Sequence, residues 1–309
     1  MNAAVCTKYG SPDVLQVRNV DEPRVGISDV LIRIHAAAVT ASDIFIRSAI
    51  PNARLAMRIV ARLAIGLTRP RRPILGAVLA GEVESVGARA TKFRAGDRVW
   101  AFTLMRMSCY AERIALPETA KLLGLAPSNL SFAEAAAIPY GGLISAYFLQ
   151  PANIAAGANV AVYGASGANG TFAVQFAKHR GARVTGVCSG QNVELVKSLG
   201  ADRVVDYTDP NARVDEEYDL VFDAVGRRKT SVIREVLRDA LTPTGRMLSV
   251  DDTLPRVKRA DLELLKELTE TGAIKPVIDR VYSLAQVAEA HRYVELGHKK
   301  GNVIIAMSP

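Results

Sequence analysis

The chain has 309 residues, 49% hydrophobic and 23% charged, with 39 basic side chains against 31 acidic ones and a formal charge of +8. That composition excludes a disordered or collagen-like chain and leaves room for two domains of about 150 residues each. The positive balance suits a phosphate-bearing ligand, nucleic acid or an acidic surface, without choosing among them. Cys6, Cys109 and Cys188 are odd in number and far apart, which predicts free thiols in a reducing compartment, the cytoplasm. The opening MNAAVCTKYG lacks the basic start and apolar core of a signal peptide.

The first third reads as strands and turns. Ile32, Ile34 and Ala36 alternate with Arg33 and His35, predicting a half-buried strand over Val30–Ala36. Gly81–Val86 and Arg98–Phe102 are further strands, the second opened by the turn signal Gly96-Asp97. Between them, Arg54, Arg58 and Arg62 recur every four residues and would form a basic stripe on a helix, read first as a solvated face. Ala135–Ala177 carries no charge, but Pro139, Gly141, Gly142, Pro151 and Gly157 interrupt it. No apolar run there reaches the ~18–20 residues of a membrane span, so the stretch reads as a buried domain centre.

From about Ser131 the pattern becomes strand-then-helix. Strands are expected at Asn159–Tyr163, Arg183–Cys188, Val204–Tyr207, Leu220–Ala224 and Arg246–Val250, with helices at Thr171–Arg180, Asn192–Leu199 and Thr230–Leu241. That alternation predicts a parallel sheet covered on both faces. A helix over Ala260–Thr271 and a strand over Asn302–Ala306 complete the chain.

Gly164-Ala165-Ser166-Gly167-Ala168-Asn169-Gly170 follows a strand and opens a helix. In that context Gly164 and Gly167 let the backbone approach a pyrophosphate. Gly170 lets helix and sheet close up, and the helix amino end offers N–H groups to the phosphates. Choice between dinucleotides falls at the end of the next strand, where an acid would hold the ribose hydroxyls of NAD. Here the strand runs out through Cys188-Ser189-Gly190-Gln191-Asn192 with no acid. Ser189 and Asn192 can donate to a 2′-phosphate, so NADPH is the expected cofactor.

Together with Val184–Ser189, Leu199-Gly200-Ala201-Asp202 and Asp223-Ala224-Val225-Gly226, this turn resembles the medium-chain dehydrogenase/reductase superfamily, in its zinc-independent, quinone oxidoreductase-like branch. Lys8-Tyr9-Gly10, Pro73-Ile74-Leu75-Gly76, Ala80-Gly81-Glu82-Val83, Ala135–Gly142 and Gly297–Val303 extend the likeness almost end to end. The resemblance implies an α/β protein. A GroES-like, β-rich catalytic domain would span 1–123 and 258–309, and a Rossmann domain 124–257. It implies hydride transfer from NADPH to a quinone or an α,β-unsaturated carbonyl. By position, Gly164, Ser166, Gly167, Ala168, Asn169 and Gly170 would hold the pyrophosphate. Ser189, Asn192 and Tyr207 would face the adenosine phosphate and ribose, and Val225-Gly226 would pass near the cofactor. Relatives often have Lys where Asn192 stands, and Lys299 or Lys300 would then supply charge.

A catalytic zinc in that superfamily needs a Cys after the third strand and a Gly-His-Glu in the next segment. This chain reads Thr40-Ala41-Ser42-Asp43 and Gly76-Ala77-Val78 there, so no metal is expected. Without one, a hydroxyl must serve the developing enolate. Ser42 stands where zinc-dependent relatives have a relay hydroxyl, and Tyr140 opens the Rossmann part; these are the two candidates, against plain roles as turn hydroxyl and pocket wall. The chain departs from its relatives at Val78 and Ile144, where they carry an acid and a Thr, and most of all between Val250 and Arg259, where they carry a longer segment with an edge strand. A monomer or a homodimer is compatible with that loss. The expected partner is a small quinone or enone, not nucleic acid. The alternatives are alcohol or aldehyde chemistry and, from another class, a non-catalytic NADPH sensor or an RNA-binding protein of the same fold.

Overall fold

The computed structural model describes residues 1–49, 62–63, 65–226 and 231–307. It divides into two compact units: Met1–Pro139 with Ile278–Pro309, and Tyr140–Val277. The first opens with the antiparallel pair β1 (Asn2–Cys6) and β2 (Leu15–Asn19). The long strand β3 (Asp29–Val39) ends at α1 (Ala41–Ser48), which starts on a capping box between Thr40 and Asp43. Four strands follow: β4 (Val78–Val86), β5 (Arg98–Phe102), β6 (Arg113–Pro117) and β7 (Leu123–Leu125). The short helix α2 (Phe132–Ala137) is opened by a second capping box, Ser131 with Glu134. The expected strand at Val30–Ala36 is therefore longer at both ends. Arg54 and Arg58 lie outside the described residues. Arg62 is no free surface charge, because its guanidinium lies 5.5 Å from the centre of the Tyr9 ring.

The second unit begins within α3 (Pro139–Leu149) and continues through β8 (Asn159–Tyr163), α4 (Ala168–His179), β9 (Arg183–Cys188), α5 (Val193–Ser198), β10 (Arg203–Asp206), β11 (Tyr218–Asp223), α6 (Val232–Asp239), β12 (Leu241–Ser249) and α7 (Arg259–Glu270). The strands are short apolar runs, as buried parallel strands must be when helices cover both faces. Their order is β10-β9-β8-β11-β12, all parallel. The chain thus runs outward from β8 in one direction, then returns to add β11 and β12 on the other side. Ala161, Val187, Val205, Val221, Ile233 and Leu237 fill the core under α6. Gly142 packs on Leu265 of α7, where a Cβ would lie 2.8 Å from a leucine methyl.

The chain then returns to the first unit with β13 (Ile278–Ser283), α8 (Val287–Glu295) and β14 (Asn302–Ala306). The larger sheet there has the order β13-β14-β3-β4-β5-β7, with β6 also paired to β3. This is the GroES-like, β-rich body, and the other unit is the Rossmann body.

The divisions fall later than the expected 123/124 and 257/258, and packing explains both. Phe132 stacks on His35 of β3 with ring centres 4.3 Å apart, holding 124–139 on the first unit. Gln175 of α4 exchanges two hydrogen bonds with the backbone of Lys275, at 3.0 and 2.8 Å, and so keeps the segment after α7 on the second unit.

Candidate active site

The glycine-rich turn leaves the carboxyl end of β8. The N–H groups of Gly164 and Ala165 both donate to the carbonyl of Val187, at 3.0 and 2.9 Å, and tie the turn to β9. Gly164 has φ +79°, and a Cβ there would lie 2.3 Å from a methyl of Val225. At Gly170 a Cβ would lie 2.1 Å from the carbonyl oxygen of Gly164, so only glycine lets α4 approach the turn. Gly167, the N-cap of α4, is different. The one atom near its missing Cβ is the Gly164 oxygen, at 3.5 Å. It faces open space and has no side chain with which to cap the helix. The first-turn N–H groups of Ala168, Asn169 and Gly170 have no carbonyl one turn back within α4. They form a donor set suited to an anion.

Asn192 organises the neighbouring polar groups. It is 4% exposed, and its amide nitrogen donates to Ser166 Oγ at 3.0 Å and to Ser189 Oγ at 3.1 Å. Both serine oxygens therefore act as acceptors toward Asn192, which leaves each hydroxyl hydrogen able to donate elsewhere. The expected role of Asn192 as a phosphate donor changes accordingly: its donors are spent on the serines, and among the described residues its buried Oδ1 has no hydrogen-bond partner. Tyr207, 42% exposed, is anchored by its N–H to the Cys188 carbonyl at 3.0 Å.

A second correction concerns charge. No acid ends β9, but Asp206 ends β10 opposite Cys188 in the register. Its Oδ2 lies 2.5 Å from where a Cβ of Gly190 would stand, while Oδ1 accepts from the N–H and hydroxyl of Thr208. Sequence position hid this carboxylate, because pairing of adjacent strands brings it in.

On the other side of β8, the fully buried Asp223 shapes the loop after β11. Its Oδ1 accepts from the N–H groups of Val225 and Gly226 at 3.0 and 2.9 Å, and its Oδ2 from Arg234 Nε at 2.8 Å and Ser249 Oγ at 3.1 Å. Asn169 reaches across to the Ala224 carbonyl at 3.3 Å, and among the described residues its own buried Oδ1 has no partner. Thus Gly164–Gly170, Ser189, Asn192, Val225 and Gly226 gather at the carboxyl ends of β8, β9 and β11, where the strand order reverses. In open α/β sheets ligands generally bind at such a position.

Ser42 belongs to the other unit, as the second residue of α1, and Tyr140 to the Rossmann unit; both are half-buried. The cap of α1 is Thr40, so Ser42 is not the capping hydroxyl. Beside Ser42 runs a buried chain of polar groups that sequence reasoning missed. Arg47 Nε donates to His291 Nδ1 at 3.3 Å, which places the imidazole proton on Nε2, 3.2 Å from the Tyr110 hydroxyl. Tyr110 also interacts electrostatically with Asp43, whose oxygens accept from Thr40 and from the N–H of Gly76. Burial pushes the Asp43 carboxyl up to about 6, against these donors. Burial, then the Arg47 charge, pushes His291 down to about 3. The visible signal was Thr40-x-x-Asp43, a capping box at the expected end of a strand.

The chain is 33% identical over 329 aligned positions to a 2-methylene-furan-3-one reductase of Solanum lycopersicum, covering all of this chain and 80% of the relative. It is 31% identical, with the same coverage, to an NADPH-dependent alkenal/one oxidoreductase of Arabidopsis thaliana. The alcohol dehydrogenase GroES-like domain matches residues 26–157, and two zinc-binding dehydrogenase models match 168–274 and 251–305. The chain belongs to the medium-chain dehydrogenase/reductase superfamily. In fold it is similar to the quinone oxidoreductase of Coxiella burnetii, with TM-score 0.82 at 23% identity over 100% of this chain and 99% of that one. By these relatives it is an NAD(P)H oxidoreductase of that superfamily. The alignments exceed the 309 residues of this chain, so the relatives carry residues that it lacks.

The superfamily's zinc does not fit these residues. Among the described residues no three of His, Cys, Asp and Glu are grouped so that they could hold a metal ion. The three thiols are buried and free, and burial pushes the Cys6 and Cys188 groups up to about 11.

Proposed function

We propose that the chain transfers hydride from NADPH to the β-carbon of an α,β-unsaturated carbonyl, including the cyclic enediones that quinones are. The observation that carries the reading is the open cradle at Gly167 flanked by Ser166 and Ser189, whose hydroxyls Asn192 holds with their hydrogens free. Bound NADPH would supply the hydride chemistry. The chain's own groups bind and orient: the first-turn N–H groups of α4 hold the pyrophosphate, and Ser166, Ser189 and Tyr207 hold the adenosine phosphate and ribose. Val225-Gly226, fixed by Asp223, lines the cofactor's path. The names of the two plant relatives, both reductases of conjugated carbonyls, support the substrate class. Three free, buried thiols suit a reducing compartment, the cytoplasm.

Hydride addition at a β-carbon leaves an enolate on the substrate, which needs a proton. Ser42 and Tyr140 are the hydroxyls we assign to that task. Ser42→Ala or Tyr140→Phe should lower kcat by about 10²-fold while leaving the NADPH Kd unchanged. The test is NADPH oxidation with a cyclic enone, an alkenal, a benzoquinone and a saturated aldehyde. Turnover confined to the conjugated acceptors supports the reading, and turnover of the saturated aldehyde alone overturns it.

A further inference from the structure

Seven arginines and no acidic residue lie between Asp43 and Glu82, so this one segment supplies most of the chain's net +8. Nothing in the dinucleotide reading uses that charge. Among the described residues of the segment, Arg71 and Arg72 border a pocket of about 180 Å³ in the GroES-like unit, whose other walls include Ile46, Ile65, Met105 and Met107. Among the described residues its walls join two arginines to an apolar floor without a carboxylate. Arg71 spends one guanidinium nitrogen on the Leu63 carbonyl at 2.9 Å. Neither arginine is ion-paired among the described residues, and both are exposed.

The methionine wall is held in an unusual conformation. Leu104, Met107 and Ser108 all have positive φ, at 53°, 55° and 74°. None is glycine, so each holds a backbone conformation that L side chains rarely adopt. The surroundings enforce this: Ser108, Cys109 and Tyr110 donate their N–H groups to Ile74, Gly76 and Leu75, and Arg106 bonds the Ala115 carbonyl at 2.9 Å. The result turns Met107 inward, 2% exposed, and leaves Met105 62% exposed at the pocket rim. Thioethers on unbranched chains adapt to a hydrocarbon ligand, and guanidinium forks match carboxylate or phosphate oxygens.

We propose that this pocket binds a small organic anion bearing a short hydrocarbon tail, with the anionic group on Arg71 and Arg72 and the tail against Ile46, Met105 and Met107. The volume lies below the ~300–1,000 Å³ of pockets for drug-sized ligands, which restricts the tail to a few carbons. The site belongs to one unit and does not depend on dinucleotide binding.

Calorimetric titration of the full chain without cofactor tests it, with hexanoate, hexan-1-ol, inorganic phosphate and a mixed-sequence RNA oligonucleotide as probes. Saturable one-to-one binding of hexanoate, about 10-fold or more tighter than hexanol or phosphate, is expected. The double variant Arg71→Gln/Arg72→Gln should reduce hexanoate to the level of hexanol with an unchanged melting temperature. Equal binding of hexanoate and hexanol, hexanoate binding that survives the double variant, or phosphate binding as tight as hexanoate each overturns the proposal. So does RNA binding tighter than hexanoate that falls steeply with salt and is lost in the double variant.

Discussion

At the scale of single residues, Gly167 separates folding from binding. Aspartate is a favoured N-cap, complements the helix dipole and meets no steric obstacle there. Gly167→Asp should therefore fold with an unchanged or slightly raised melting temperature, yet weaken NADPH binding by at least about 10-fold through repulsion of the pyrophosphate. A variant that binds NADPH normally would remove the cradle from the account. Asp206 works against the serines, since a carboxylate beside Gly190 repels a 2′-phosphate. Asp206→Asn should tighten NADPH by about 5- to 10-fold while changing NADH by less than about 2-fold, as read by cofactor fluorescence. Equal effects on both cofactors would place Asp206 away from the 2′-position.

At the scale of elements, the polar chain linking α1, the segment before β6 and α8 makes stability depend on pH. Asp43 rises from an ordinary 3.8 to about 6, so its contribution is complete below about pH 3.8 and is lost as pH rises through 6. His291 falls from 6.5 to about 3, so its contribution is complete above 6.5 and is lost as pH falls toward 3. The two groups oppose each other between pH 6.5 and 4. Relative to the parent chain, acidification over that range should lower the melting temperature more in Asp43→Asn and less in His291→Gln. Parallel curves for all three proteins would rule out this pair as the source.

Elements were legible where local pattern and tertiary pairing agree. Arg98–Phe102, Asn159–Tyr163, Arg183–Cys188 and Asn302–Ala306 are strands over the expected residues, each a short apolar run. β12 begins five residues before the expected Arg246, because Leu241 pairs with Tyr218 and the register then jumps to Leu220 with Arg246. Thr242-Pro243-Thr244-Gly245 gives no local strand signal across that irregularity. The glycine turn was legible because its chemistry is consecutive in the chain. The links Asn192–Ser166, Asp206–Gly190 and Arg47–His291–Tyr110–Asp43 were not, since each joins residues that only strand pairing or helix packing brings together.

At the scale of the whole molecule, the Rossmann unit ends its described sheet at β12, and the chain passes through Asp251–Lys258 straight to α7. Leu254 in that passage is 87% exposed. An edge strand carrying Pro243 and an irregular register is a poor template for further pairing. The glycine turn and the loop held by Asp223 form at β8, β9 and β11 with no described strand beyond β12, so the short passage should not abolish cofactor binding. The decisive measurement is a titration of the purified chain with NADPH and separately with NADH, followed by nicotinamide fluorescence, before any acceptor is added. The account predicts saturable one-to-one NADPH binding, at least about 10-fold tighter than NADH, with the bound cofactor oxidised when a conjugated acceptor is supplied. Failure to bind either cofactor, or a preference for NADH, would contradict it.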